Sequence, residues 1–280
     1  MSTSISTKTR EVPVTTRPVY RVTTGRVLRS EWAKFWSLRS SWITLCVAAF
    51  VLVALGFIAS ASFDPSGATA GRPVGRPAAS DAVGLALTGT SLAQLAIGVL
   101  GVLVAAGEYS TGMIRSTLAA VPRRLPVLWS KALIFAGVAL AACTVGVLAA
   151  FLMGSTQMSG TSAALSLSDS GVLRSLAGAA GYLALVGVLG IALGALLRSV
   201  AGGIAVLVAT LMVIPGLTSL LPDSWANTLG PYLPSNAGGA MMSLHQASDA
   251  LSPEAGLAVL AGWAALGLGA AALRLVRTDV

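Results

Sequence analysis

The chain has 280 residues, of which 55% are hydrophobic and only 10% charged, with a mean hydropathy of +0.82 and a formal net charge of +8. A soluble domain carries about 25% charged residues, so this composition places the chain in a membrane and excludes an ordinary water-soluble fold. The basic excess gathers beside apolar runs and forms no basic–aromatic stacking surface, which excludes nucleic acid as a partner and fits anionic headgroups.

Residues 1–23 are polar, rich in Ser and Thr, and hold Lys8, Arg10, Arg17 and Arg21; a disordered tail is expected. Over 24–41 the pattern changes. Leu28, Trp32, Phe35 and Trp36 recur at helical spacing, with Arg26, Arg29 and Lys34 opposite. This predicts an amphipathic helix in the headgroup layer, aromatic rings toward the acyl chains. Glu31 lies near the apolar arc, three residues before Lys34, at ion-pairing distance along a helix.

Residues 42–280 form the transmembrane domain, with apolar stretches over 42–63, 85–107, 127–153, 172–197, 200–221 and 255–276. Each has the ~20 residues needed to cross a ~30 Å hydrocarbon core. Backbone groups in lipid must be satisfied within the segment, so the fold class is all-α: six transmembrane helices preceded by the interfacial one. The stretch 42–63 is too long for the core of a cleaved secretory signal, although Ala59-Ser60-Ala61 resembles a cleavage site. Within the fifth stretch, Pro215 should kink or break the helix. Fifteen of the eighteen Lys and Arg residues fall on one side of this arrangement; only Arg72, Arg76 and Arg174 fall on the other. The asymmetry puts both termini in the cytoplasm and favours an even number of spans. Small-residue faces at Gly187, Gly190 and Gly194, and at Ala258 and Gly262, suit close helix packing, either within the chain or between copies.

Catalytic and metal motifs are absent from the sequence. His245 is the only histidine, Cys46 and Cys143 lie in apolar runs, and no Gly-Lys dipeptide occurs, so there is no phosphate-binding loop. No cofactor is expected on this chain. Gln94 is the one strong hydrogen-bonding side chain deep in a span, read as a helix–helix contact or as part of a polar path.

The segment between the second and third stretches is unlike an ordinary connection. It holds Glu108, Ser110, Thr111, Gly112, Met113, Ile114, Arg115, Ser116, Thr117 and Leu118, then Pro122, Arg123, Arg124 and Lys131. Ser110 or Thr111 can cap a helix, Gly112 permits close backbone approach, and Pro122 ends it. Met113, Ile114, Thr117 and Leu118 form an apolar stripe, shaped to enter a partner's groove. Glu108 is close enough in sequence to pair with Arg115 or Lys131, as a surface pair worth about 0–1 kcal/mol.

The pattern Glu108-x-x-x-Gly112-x-Ile114-Arg115-x-x-Leu118, followed by Pro122-x-Arg124 and Lys131, resembles the permeases of the type-2 ABC exporter family. Glu31-Trp32-Ala33-Lys34 is similar to that family's interfacial helix, Leu233-Pro234-Ser235 to its external segment before the last span, and Arg277-Thr278-Asp279 to its tail. Met113 stands where the family usually has Thr. The resemblance implies an exporter permease in the cell membrane, whose 108–126 linker carries a coupling helix docked on a separate ATP-binding cassette. ATP and Mg would sit on that partner, and a second permease copy, identical or not, would complete the path. A membrane sensor or signalling module of the same fold is the alternative, and a scaffold for another cytoplasmic partner a third reading.

Overall fold

The computed structural model describes residues 23–63, 82–121, 124–161, 164–218, 220, 222–245 and 250–277. Most of the expected 1–23 tail, the loop that holds Arg72 and Arg76, the expected helix stop at Pro122, and Thr278 and Asp279 of the tail motif lie outside the described residues.

Ten helices organise the described residues: α1 (Thr24–Ser37), α2 (Arg39–Ala61), α3 (Ala82–Ser110), α4 (Met113–Ala120), α5 (Arg124–Gln157), α6 (Val172–Leu197), α7 (Val200–Thr218), α8 (Asp223–Leu229), α9 (Pro234–Met242) and α10 (Pro253–Arg277). No strand occurs among the described residues. Six of the helices, α2, α3, α5, α6, α7 and α10, are long and apolar enough to cross a membrane.

Several helices outrun the apolar stretches that announce them. α5 has 34 residues, starting at Arg124 and ending at Gln157. Apolarity sets how much of a helix can lie in hydrocarbon, whereas the helix itself continues while backbone bonds can be made. Pro126 falls in its first turn, where a missing N–H costs nothing. Pro215 does not break α7. A π-helical turn at Ala209–Val213 precedes it, and the helix runs on to Thr218; the wider turn relieves the crowding that a proline ring brings to the preceding carbonyls.

α6 is the centre of the bundle. It packs against α3, α5, α7, α9 and α10, and 72% of its apolar window is buried, against 17% for α7. Its seam with α3 is made of backbone. A Cβ on Gly190 would strike the Gly98 carbonyl, one on Gly101 the Gly187 carbonyl, and one on Gly194 would lie 2.8 Å from the Val102 oxygen. The Gly187, Gly190 and Gly194 face is therefore used within the chain. On Gly262, by contrast, a Cβ would meet nothing within 4 Å, and Ala258 is exposed.

Contacts between helix ends show which ends lie together. Arg124 Nη1 donates to the Leu275 carbonyl at 3.1 Å, Arg274 donates to the Leu196 carbonyl, and the Arg198 guanidinium lies 5.4 Å from the centre of the Tyr109 ring. The ends of α3, α6 and α10 and the start of α5 thus share one end of the bundle. Toward the other end Arg174 Nη2 donates to the Ser243 carbonyl and Trp263 Nε1 to the Tyr232 carbonyl, both at 3.0 Å.

Candidate functional site: an ionic cluster beneath a short helix

α1 turns one face into the bundle. Its buried residues are Val27, Glu31 and Phe35, while Trp32 and Trp36 are exposed. The expected face of Leu28, Trp32, Phe35 and Trp36 is therefore split. Phe35 enters the core edge-on to Trp42 and Phe135. Trp32 and Trp36 stack on each other outside, with centroids 5.7 Å apart. Glu31, which lies near the apolar arc in the sequence, is inside the protein because its counter-charges are there.

Lys34 Nζ lies 2.8 Å from Glu31 Oε1 and 3.2 Å from Glu108 Oε1. Lys131 Nζ lies 2.7 Å from Glu31 Oε2 and 2.8 Å from Glu108 Oε1. Lys34 also donates to Thr117 Oγ1 at 3.3 Å. Two carboxylates and two ammoniums thereby join α1, α3 and α5, and Thr117 adds α4. Glu31, Glu108 and Lys131 are buried; Lys34 is partly open. Of the two partners expected for Glu108, Arg115 or Lys131, Lys131 is the one that it meets, as part of a buried network rather than a surface pair. Removing one member of a buried pair costs about 3–5 kcal/mol, because it strands the other charge. Arg115 is exposed and takes no part in these ion pairs.

The electrostatics of α1 follow. Burial would raise the Glu31 carboxyl, but Lys131 and Lys34 outweigh it and hold the group below its ordinary value of 4.5. Burial would likewise lower the Lys34 ammonium, but Glu31 and Glu108 hold it above its ordinary 10.5.

The short helix α4 is started by backbone, not by a side-chain cap. Gly112 is its N-cap residue at φ +73°, a left-handed conformation that glycine adopts without strain. Ser110 Oγ and Thr111 Oγ1 instead donate back to the Gly107 carbonyl, at 3.0 and 2.8 Å. A Cβ at Gly112 would meet nothing within 4 Å, so φ rather than close approach calls for glycine. Part of the apolar stripe is committed inward: Ile114 is buried and Leu118 packs at the edge of the core. Met113, Arg115, Ser116, Ala119 and Ala120 face outward, with Ser110, Thr111 and Gly112 before them.

Deeper in the bundle, Tyr182 donates to Gln94 Oε1, and Gln94 Nε2 donates to the Ser91 carbonyl at 3.1 Å. Gln94 thus makes a helix–helix hydrogen bond between α3 and α6. Tyr182 escaped sequence reasoning; its signal was a lone phenol within the apolar run that follows Ser175. The merging of the two Glu–Lys pairs also escaped it, since Glu31 and Lys131 are 100 residues apart. Among the described residues no group of three His, Cys, Asp or Glu side chains is placed to hold a metal. No protein-family model matches the chain, and no curated protein matches it either.

Proposed function

We propose that this chain is the permease subunit of an ATP-driven exporter of the type-2 ABC class, worked by a separate ATP-binding cassette. The observation that carries the reading is the buried cluster of Glu31, Lys34, Glu108 and Lys131 at the foot of α4. A push on α4 reaches α1, α3 and α5 through charges that cannot slide past one another cheaply. The sequence has no phosphate-binding loop, so driven work needs energy from another chain.

In this reading the cassette, with its ATP and Mg, meets the outward face of α4 at Met113, Arg115 and Ser116, flanked by Ser110, Thr111 and Gly112. Ile114, Thr117 and Leu118 seat the helix on its own body, and Glu108 transmits rather than touches. Trp32 and Trp36 lie among lipid headgroups. The charge asymmetry supports a cell-membrane protein with α4 and both termini cytoplasmic. A second permease copy completes the path.

The test is to ask whether a neighbouring reading frame encodes a P-loop protein and, with such a protein co-expressed, to read co-purification, ATPase and efflux. Arg115→Glu with Ser116→Trp should weaken association at least about tenfold, given the ~1.5–3 kcal/mol of a charged contact. Glu108→Gln with Lys131→Met should leave association intact and separate hydrolysis from efflux. Wild-type association and efflux in the outward-face variant would sink the proposal. Ile114→Asp tests something else, the seating of α4 on its own chain.

A further inference from the structure

Beside the ionic cluster lies a cavity of about 210 Å³. It is larger than an engineered apolar cavity of ~150 Å³ that stays dry and takes up benzene. Its most buried lining includes Phe35 and Phe135, which meet edge-on with centroids 6.1 Å apart. Leu100, Val104 and Ile134 continue the apolar wall. On α3 the lining runs from Leu100 to Thr111, which at 1.5 Å per residue makes a slot about 16 Å long.

The groups around the slot select no charge. Glu31 and Glu108 are matched by Lys34 and Lys131, two against two. Two of the lining hydroxyls are spent as donors: Thr44 on the Ser40 carbonyl and Thr111 on the Gly107 carbonyl. A water needs about two to four polar partners, and the side chains of Leu100, Leu103, Val104 and Ile134 offer none. A void in the slot would forfeit the dispersion contacts of its lining, which a hydrocarbon chain restores.

The opening decides which hydrocarbon. Leu38 and Leu103 line the cavity and are exposed. Leu103 lies within α3, one of the helices long and apolar enough to cross a membrane. On α2, Val47 follows the lining Thr44 by one turn and is also exposed. The slot is therefore continuous with the apolar surface that these helices present to a bilayer.

We propose that the slot holds one acyl chain of a membrane lipid, inserted between α2 and α3 as far as Phe35 and Phe135, whatever the charge of its head. The proposal is independent of the cassette reading, since it needs only the folded chain in a bilayer.

The experiment uses the full chain in phosphatidylcholine nanodiscs, with a trace of phosphatidylcholine whose acyl chain carries a photoreactive diazirine. Labelled residues are mapped after irradiation. Leu133 and Leu140 on α5 are exposed and serve as the reference for ordinary lipid contact. Leu100 and Phe135 are buried but line the cavity, whereas Val102 is buried and does not line it. Leu100 and Phe135 should label and Val102 should not. Phosphatidylglycerol carrying the same chain should label them to the same extent. Leu103→Trp and Val104→Phe each fill the slot and leave the four charges in place. Either should lower labelling of Leu100 and Phe135 about tenfold, the effect of one overpacked site, with Leu133 labelled as before. Labelling confined to exposed residues, the result if water or a second copy fills the slot, would overturn the proposal. So would Leu100 labelling that persists in the folded variants, or a marked preference for one headgroup.

Discussion

The α3–α6 seam and the ionic end of the bundle hold the same helix, α3, by opposite means. Along the seam, Gly101 packs on the Gly187 carbonyl and Gly190 on the Gly98 carbonyl, so that the two backbones meet directly. At its end, Glu108 reaches two lysines on two other helices. In lipid no hydrophobic force drives helices together, so close packing does the work along the seam. The ionic contact is long-armed and directional. It ties α3 to α1 and α5, while the seam holds α3 against α6.

The largest expected effect is at the ionic end. Lys131→Ala strands Glu31 and Glu108 and should cost about 3–5 kcal/mol, read as a fall in unfolding temperature in detergent. Lys131→Met with Glu108→Gln leaves the Glu31–Lys34 pair and should recover most of that loss. If the double variant is no better than the single one, the four charges do not act as one coupled network.

On the seam, Gly190→Ala should cost about 1–3 kcal/mol by overpacking. Gly262→Ala, which meets nothing, should stay within about 0.5 kcal/mol. Equal effects at the two sites would remove the distinction between a packed and an open small-residue face. Tyr182→Phe takes the donor from Gln94 and should cost about 0.6–1.7 kcal/mol, the range for interhelical hydrogen bonds in membranes.

The smallest effect is that of pH, and it separates the two regions cleanly. Glu31 is held below its ordinary 4.5, so its contribution is complete above that value and lost as pH falls through the lower folded one. Lys34 is held above 10.5, so its contribution is complete below that value and lost as pH rises through the folded one. Unfolding temperature should therefore be flat with respect to these groups between the two values and fall outside them. Glu31→Gln with Lys34→Met should blunt both edges, whereas Gly190→Ala should leave their positions unchanged.

Much of the site was legible in pieces. The i, i+3 spacing of Glu31 and Lys34 foretold their pair, and of the two partners expected for Glu108, Arg115 or Lys131, it is Lys131 that it meets. What periodicity did not show is how far Glu31 and Phe35 enter the protein. Glu31 is buried because one of its partners, Lys131, comes from another helix. The caps failed for a related reason: Ser110 and Thr111 bond backward to Gly107, and the left-handed Gly112 turns the chain without them.

The sequence by itself determined the six apolar helices, because hydrophobic length and the need to satisfy backbone bonds within a segment are local properties. It also determined that ATP chemistry through a phosphate-binding loop is absent from this chain. Only the tertiary structure decided which small-residue face is filled, that Ile114 points into its own protein, and that four charges from three helices form one buried cluster. Those outcomes depend on distances between residues far apart in the chain, and side-chain periodicity along a single helix carries no information about what a neighbouring helix will place against it.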